Sequence, residues 1–493
     1  MKEWKILVIV LACISVFFLV YSPHFDYNFP SHVDEWHYIE EGKKINSGEY
    51  NVDGNSFRIG FILLLAFLDR IFDIVLIYKW LPAIWAVITS LVLFFLVYKK
   101  SNKNFTIALF ALLFFASLKS NTNLGGSWFF IPSVFCIPFI YLFMYFFDSG
   151  LINKNKNHIL ISFCFMLFVL FAHSASFLFA IPILIVFSLF NLNYIKKEWK
   201  FFSLFALIPI IGAIFYLFVI KTSLNLSLAS AFDMMKSSLV FVKGRFPSEL
   251  NNSFLEVYSF AGYLLALLGI ISIFARESTV RKYLIYLLWP LITLLSIFIF
   301  KIFGVSFFAP YQRTMYYFAI SLPFLSAFGL YSLLDIGENL FNRFYQGKYK
   351  KIIRRIISLL IVLMLFSLVF ISYNNIPGNL KPYKLIDEKD YQLLSFLKNQ
   401  SFGRVLSSEE IGSTVYSLSG KTSVNSVYFY GKWFKQRTNA FFNASSCKEK
   451  NGVLWELNAT YVILDSRNES INCGWKLIYN NSDYIYNVRN IFR

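Results

Sequence analysis

Two adjacent carboxylates, Asp34 and Glu35, stand between His32 and His37 in the stretch Pro30-Ser31-His32-Val33-Asp34-Glu35-Trp36-His37-Tyr38. Three of the chain's five histidines, His24, His32 and His37, fall within the loop 22–57 that carries this stretch. An ionised carboxylate of this kind can take a proton from a hydroxyl while the oxygen attacks an electrophilic carbon. Neighbours in sequence cannot both point at one reacting atom. One carboxylate is therefore expected to act, with Asp34 at the centre, and the other to bind or orient. The structural alternative is that Asp34 caps a helix beginning at Glu35. His24, His32, Asp34 and His37 have suitable donor types for a metal, but their spacing matches no compact zinc pattern.

The elements that must position these residues are membrane spans. The chain has 493 residues, 57% hydrophobic and only 15% charged, where a soluble protein carries about a quarter charged residues. Its mean hydropathy is +0.57, and its apolar residues come in runs of about twenty, the length that crosses a bilayer. The net charge of +18 does not point to nucleic acid. The cations gather in short loops between apolar runs, at Lys99-Lys100, Lys154 and Lys156, Lys196-Lys197 and Lys200, Arg281-Lys282 and Lys348 to Arg355, where positive charge sets orientation. A nucleic-acid surface would need them on one exposed face.

Lys2 and Lys5 keep the N-terminus inside, and Ile6 to Tyr21 reads as an uncleaved first span, since no small-residue cleavage site follows it. The first external loop, 22–57, then carries the acidic stretch. Residues 58–75 are apolar but interrupted by Asp69, Arg70 and Asp73, which suits a helix lying in the interface. Further spans are expected near Trp80–Tyr98, Phe105–Leu118, Trp128–Phe147, Ile159–Ala172, Ser176–Phe190, Phe201–Ile220, Tyr258–Phe274, Tyr283–Phe300, Met315–Leu334 and Ile356–Ser372. This gives about eleven crossings, N-terminus in and C-terminus out. Sequons at Asn225, Asn251, Asn399, Asn443, Asn458, Asn468 and Asn480 all fall outside on this scheme, and Asn104 alone falls inside. A membrane domain over 1–373 is followed by a polar extracytoplasmic α/β domain over 374–493, about 120 residues. A helix is expected there at Glu388–Asn399, strands at Arg404–Leu406 and Thr460–Asp465, and a terminal hairpin through Trp475–Tyr479 and Tyr484–Val488. Lys243, Arg245, Glu249 and Glu256 lie in a further external loop. Cys13, Cys136 and Cys164 sit within apolar runs, whereas Cys447 and Cys473 are free to pair in an extracytoplasmic domain.

The order of three short motifs resembles the GT-C membrane glycosyltransferases. Val33-Asp34-Glu35-Trp36-His37-Tyr38 is similar to the F-D-E-x-H-F loop of the protein O-mannosyltransferase group, which is grouped with the lipid A aminoarabinose transferases. Lys79-Trp-Leu-Pro-Ala-Ile-Trp-Ala, running to Tyr98-Lys-Lys, resembles the R-L-P-S-A span. Tyr311-Gln-Arg313-Thr-Met-Tyr-Tyr-Phe-Ala-Ile-Ser-Leu-Pro323 resembles the late R-Y-x-x-P-x-x-P span. The likeness covers roughly residues 1–375. It implies an enzyme of the cell membrane that uses a polyprenyl- or dolichyl-phosphate sugar, transferring hexose with inversion on the outer face to a glycan, protein or lipid hydroxyl. Asp34 would occupy the catalytic-base position, with Glu35 supporting it. Arg313 would bind the donor phosphate, a role that suits a guanidinium able to hold two oxygens at once, although an interfacial Arg also simply snorkels. Lys301, His37 and His173 are the further candidates for the donor phosphate. His173 reads equally as a satisfied helix-end histidine.

The chain departs from the family in two places. Oligosaccharyltransferase-type members hold a divalent metal with acidic residues of the second external loop. Here that loop, Lys119-Ser-Asn-Thr-Asn-Leu-Gly-Gly-Ser-Trp128, has no carboxylate, and no WWDYG follows. No cofactor is therefore expected, and a metal is not favoured. A transporter or flippase for a lipid-linked sugar is the rival reading, weakened by the lack of internal repeats and of charged residues in mid-span. A non-catalytic partner in surface-glycan assembly is the third.

Overall fold

The computed structural model describes residues 3–50, 58–224, 227–243, 253–275, 277–344, 350–371, 376, 378–425, 432–464, 473–481 and 483–489. Asn225, Asn251, Asn468, Arg245, Glu249, Lys348, Asp465 and the loop residues 51–57 lie outside them. By compactness the chain divides into two units, and the division does not follow chain order. One unit comprises Met1–Ser22, Asn51–Phe61 and Trp80–Lys381; the other comprises Pro23–Tyr50, Ile62–Lys79 and Pro382–Arg493.

The first unit is helical and belongs in a membrane. Six helices among the described residues are long and apolar enough to cross one: Glu3–His24, Ile74–Lys100, Pro132–Ile152, Trp199–Val219, Val280–Phe303 and Tyr311–Phe341. Five shorter apolar helices accompany them, at Phe105–Ala116, Lys156–Ala172, Ser174–Leu189, Phe260–Phe274 and Arg355–Ser367. Large apolar side chains such as Leu7 and Phe18 stay more than half exposed, as lipid-facing residues do. Asn104, the sequon expected on the inner side, is a helix cap: its side chain accepts from the backbone N–H groups of Thr106 and Ile107, which would otherwise lack partners. The span expected from Trp128 begins instead at Pro132, because residues 119–131 form a buried loop and proline suits the first turn of a helix. Asp148 lies fully buried near the end of that span and is ion-paired to Lys100.

Close packing sets the helix that carries Arg313. Phe260–Phe274 and Tyr311–Phe344 meet backbone to backbone. A Cβ on Gly269 would lie 2.0 Å from the Leu325 carbonyl oxygen, and one on Gly329 would lie 1.8 Å from that of Leu265. Small residues permit this approach where lipid supplies no hydrophobic drive between helices. Strands β1 (Val240–Val242) and β2 (Val305–Phe307) pair antiparallel.

The second unit joins the acidic segment to the C-terminal α/β fold. Here β3 (Arg404–Leu406), β4 (Thr422–Ser423), β5 (Tyr461–Leu464), β6 (Lys476–Asn481) and β7 (Asp483–Asn487) form one sheet in the order β4-β3-β5-β7-β6. β3 runs parallel to β4 and β5, while β7 is antiparallel to β5 and β6. All four residues of β5 are buried, which is why that strand reads as a continuous apolar run without alternation. The core beneath gathers Leu406, Phe441, Leu454, Val462 and Trp475, and Cys447 is bonded to Cys473 with Cα atoms 5.4 Å apart. The first loop is tied to this region at several points. Tyr383 N donates to the Ser31 carbonyl (2.9 Å), Asn28 donates to Glu388 (2.9 Å), and Lys384 pairs with Asp26 (2.8 Å).

Candidate active site

In the second unit the acidic stretch opens the helix Val33–Ser47, whose N-cap is His32. The helix therefore starts two residues before the Glu35 start that Asp34 capping would give, and the two carboxylates divide in role. Glu35 is fully buried, and one of its oxygens accepts from the backbone N–H groups of Ser31 (2.8 Å) and His32 (3.0 Å). That is the returning arm of a capping box. Asp34, one residue earlier, keeps its side chain 16% exposed, with Oδ2 3.7 Å from His32 Nδ1. Because His32 Nδ1 accepts the Asp34 N–H (3.0 Å), it carries no proton, and the 3.7 Å approach is not an ion pair. Both carboxylates lie in the first turn of the helix, at the positive end of its dipole. Glu35 shapes the turn, and Asp34 is presented by it.

The helix is anchored from several sides. Trp36 is fully buried; its indole N–H reaches the Pro30 carbonyl (3.2 Å), and its own carbonyl accepts from Ser417 (3.1 Å). Lys43 donates to the Ser417 carbonyl (2.7 Å). Lys44 bridges Glu40 (2.8 Å) and Glu41 (2.9 Å). Burial works against the charge on Lys44, but the two carboxylates outweigh it and hold its pKa above the usual lysine range. The charges that interrupted the expected interfacial helix are explained here. Asn46 donates to Asp69 (3.0 Å) and accepts from Arg70 (2.8 Å), and Asp73 caps the helix Ile74–Ile77. His37 is buried, its ring 5.3 Å from that of Tyr38.

The first unit assembles a cationic cluster from three distant segments. His173 ends the helix Lys156–Ala172 and caps Ser174–Leu178. Its Nδ1 accepts from Ser176 N (3.2 Å) and lies 2.7 Å from Ser176 Oγ, which in turn lies 2.9 Å from the Tyr317 hydroxyl. With Nδ1 accepting an N–H, the proton of the neutral ring is on Nε2, so that His173 offers a donor. Arg58 and Arg313 both act electrostatically on His173 and on Tyr317. The position of Arg58 follows from Gly60, where an added Cβ would sit 3.3 Å from Ala172 Cα. Arg313 Nη1 donates to the Leu124 carbonyl (3.0 Å). A Cβ on Gly125 would come within 2.7 Å of that nitrogen, and Gly125 itself has φ +83°. Beside the cluster lies an apolar cavity of about 420 Å³, lined by Phe171, Ser174, Ala175, Phe177, Phe215, Phe241 and Phe308 among others. Sequence reasoning reached Arg313 and His173 but missed Arg58, Ser176 and Tyr317. Arg58 opens an apolar run and carries no local signal of its role.

The loop at residues 119–128 lacks a carboxylate of its own, but the fold brings one to it. Lys119 N donates to the Val257 carbonyl (2.9 Å), and Asn121 donates to the Glu256 carbonyl (3.3 Å). Among the described residues the buried Glu256 Oε2 has no hydrogen-bond partner. Burial pushes the Glu256 carboxyl up, partly offset by Ser253 and Lys119; burial likewise pushes Lys119 down, opposed by Glu256. Lys301 does not join this group through a salt bridge; its ammonium lies over the Phe254 ring at 5.0 Å. Among the described residues no three His, Cys, Asp or Glu side chains are grouped so as to hold a metal ion.

No protein-family model matches the sequence, and no curated protein sequence matches it. Solved structures do. An oligosaccharyltransferase AglB of the archaeon Archaeoglobus fulgidus, in complex with an inhibitory peptide and a dolichol-phosphate, aligns with TM-score 0.59 at 15% identity. The apo form of the A. fulgidus enzyme aligns with TM-score 0.60 at 13% identity. A third structure, tethered to an acceptor peptide containing an NVT sequon, aligns with TM-score 0.56 at 15% identity. Each alignment covers 95% of this chain and 70% of the other. The chain therefore has the fold of an archaeal oligosaccharyltransferase, the GT-C fold expected from the order of its three motifs.

Proposed function

We propose that the protein is a glycosyltransferase that takes a sugar from a polyprenyl- or dolichyl-phosphate donor at the outer membrane face. The observation that carries this reading is that Arg58 and Arg313 both act electrostatically on His173, whose neighbours Ser174 and Ala175 line an apolar cavity of about 420 Å³. A cation pair next to an apolar groove suits a ligand that is a phosphate at one end and a hydrocarbon chain along the rest. Asp34 takes the proton from the acceptor hydroxyl as its oxygen bonds to the anomeric carbon. The bond from that carbon to the phosphate oxygen breaks on the opposite face, with inversion, and polyprenyl phosphate leaves with the electron pair. Arg313 and Arg58 neutralise the leaving phosphate, and His173 Nε2–H and His37 are further donors to it. Glu35 holds the turn that presents Asp34, and Lys301 adds positive charge at the interface. Cationic side chains supply the charge stabilisation, so no step is routed through a metal.

The test is release of polyprenyl phosphate from radiolabelled polyprenyl-phosphate hexoses by the purified protein, with membrane glycoprotein and glycan as acceptors. Turnover in wild type and its loss in Asp34→Asn, with donor binding kept, supports the scheme. Full activity in a well-folded Asp34→Asn sinks it. Binding without turnover in either protein moves the flippase or assembly reading ahead. The fold shared with an enzyme bound to an acceptor peptide favours one second reading, transfer to a peptide asparagine. An NVT-containing peptide in the same assay separates the two.

A further inference from the structure

A second pocket, of about 610 Å³, lies at the other end of the helix that leads to His173. It is lined by Lys154 and Lys156 at the turn before Lys156–Ala172, by Lys197 of the short helix Leu192–Lys197, and by Arg281 near the start of Glu277–Phe303. The helix Lys156–Ala172 carries the chain from this pocket to His173, about 25 Å away at 1.5 Å per residue. Four cations from three separate segments thus face one carboxylate among the lining residues, Glu198, and that one is ion-paired to Lys156 at 2.6 Å. The pocket continues into a second cavity of about 340 Å³, with Arg281, Asn191 and Phe190 common to both. This second cavity is walled by Phe187, Val280 and Leu284. Phe190 is 61% exposed, an apolar side chain open to its surroundings beside a cluster of cations.

We propose that this pair of cavities binds an anionic phospholipid at the end of the helix Lys156–Ala172 away from His173. The headgroup phosphate is held by Lys154, Lys197 and Arg281, and one acyl chain lies along Phe187, Phe190 and Leu284. The argument is charge complementarity joined to an apolar continuation. A solvated basic loop would attract anionic lipid diffusely, but it would not bring cations from three segments onto one cavity with an apolar floor. The inference does not depend on the donor reading.

The experiment uses the full-length protein in neutral detergent, with bound lipid counted by native mass spectrometry and the thermal midpoint recorded. The probes are dioleoyl-phosphatidylglycerol, dioleoyl-phosphatidylcholine and soluble glycerol phosphate. Phosphatidylglycerol is expected to stay bound and raise the midpoint, and the other two are not. Lys197→Ala/Arg281→Ala is expected to weaken retention about thirtyfold, at roughly 1 kcal/mol per cation. Lys99→Ala/Lys103→Ala, which removes the same charge from another basic turn, is expected to leave it unchanged. Equal loss in the two double variants overturns the proposal in favour of diffuse attraction, and so does equal retention of phosphatidylcholine. A midpoint rise with glycerol phosphate alone overturns the part played by the acyl chain. If the alanine pair lowers the lipid-free midpoint, Lys197→Gln/Arg281→Gln gives the same count of bound lipid.

Discussion

The acidic turn at Asp34–Glu35 and the cationic cluster around His173 are built in opposite ways. In the turn, adjacent residues are separated in role by geometry a few residues long: the buried carboxylate closes a capping box, and its neighbour keeps some exposure. In the cluster, hydrogen bonds join residues 173, 176 and 317, and the charges of Arg58 and Arg313, from distant parts of the chain, act on His173 and Tyr317. The turn is set by short-range hydrogen bonds and tolerates little change in backbone. The cluster is set by long-range packing, of one helix on another at Gly60 and of a loop on the Arg313 side chain at Gly125. Substitutions should therefore act on activity and stability differently in the two regions.

The largest expected effect is on the turn's chemistry. Asp34→Asn should lower the rate of polyprenyl-phosphate release about a thousandfold, the usual scale for a lost general base, with an unchanged thermal midpoint. Glu35→Gln, which keeps a capping-box acceptor, should leave the midpoint near wild type. Glu35→Ala should cost about 1–3 kcal/mol, because the Ser31 and His32 N–H groups are left buried without partners. If Glu35→Gln abolishes turnover while Asp34→Asn does not, the division of roles is reversed.

In the cluster, Arg313→Lys keeps the charge but loses the fork. It should weaken donor binding by about tenfold to a hundredfold at 1.5–3 kcal/mol per charge-assisted hydrogen bond, measured as a higher KM for the donor. Arg58→Lys should do the same if the two guanidiniums share one phosphate; an unchanged KM would reduce the cluster to Arg313.

Outside both regions, breaking the Cys447–Cys473 bond, which closes a 26-residue separation, should destabilise the protein by about 3 kcal/mol, read as a lower denaturant midpoint for Cys447→Ser/Cys473→Ser. The smallest expected effect is a pH slope at Glu256. Its carboxyl is raised by burial, so the folded state binds a proton that the unfolded state has already released. The stability gained by that proton is present below the ordinary glutamate range and is lost as pH rises through the raised value. Glu256→Gln should flatten unfolding free energy over that mildly acidic window, and an unchanged slope would move its origin elsewhere.

What could be read from the sequence was local or periodic. Runs of apolar residues gave the membrane class, because a bilayer leaves few other uses for them. The helix at Glu388, the strand at Arg404–Leu406, the buried strand near Tyr461 and the terminal hairpin all carried their own signals and lie where expected. The sequence also marked the acidic stretch as a candidate for chemistry, since paired carboxylates and histidines beside a membrane are costly without a use. The sequence could not divide the work between Asp34 and Glu35, because a shift of two residues in the helix start decides which carboxylate turns back on the chain. Nor could it show that Glu256 comes against a loop with no acid of its own, or that Arg58 reaches His173. Both couple residues more than a hundred positions apart, Asn121 to Glu256 by a hydrogen bond and Arg58 to His173 electrostatically, with no trace in neighbouring residues. Only the tertiary packing decided them.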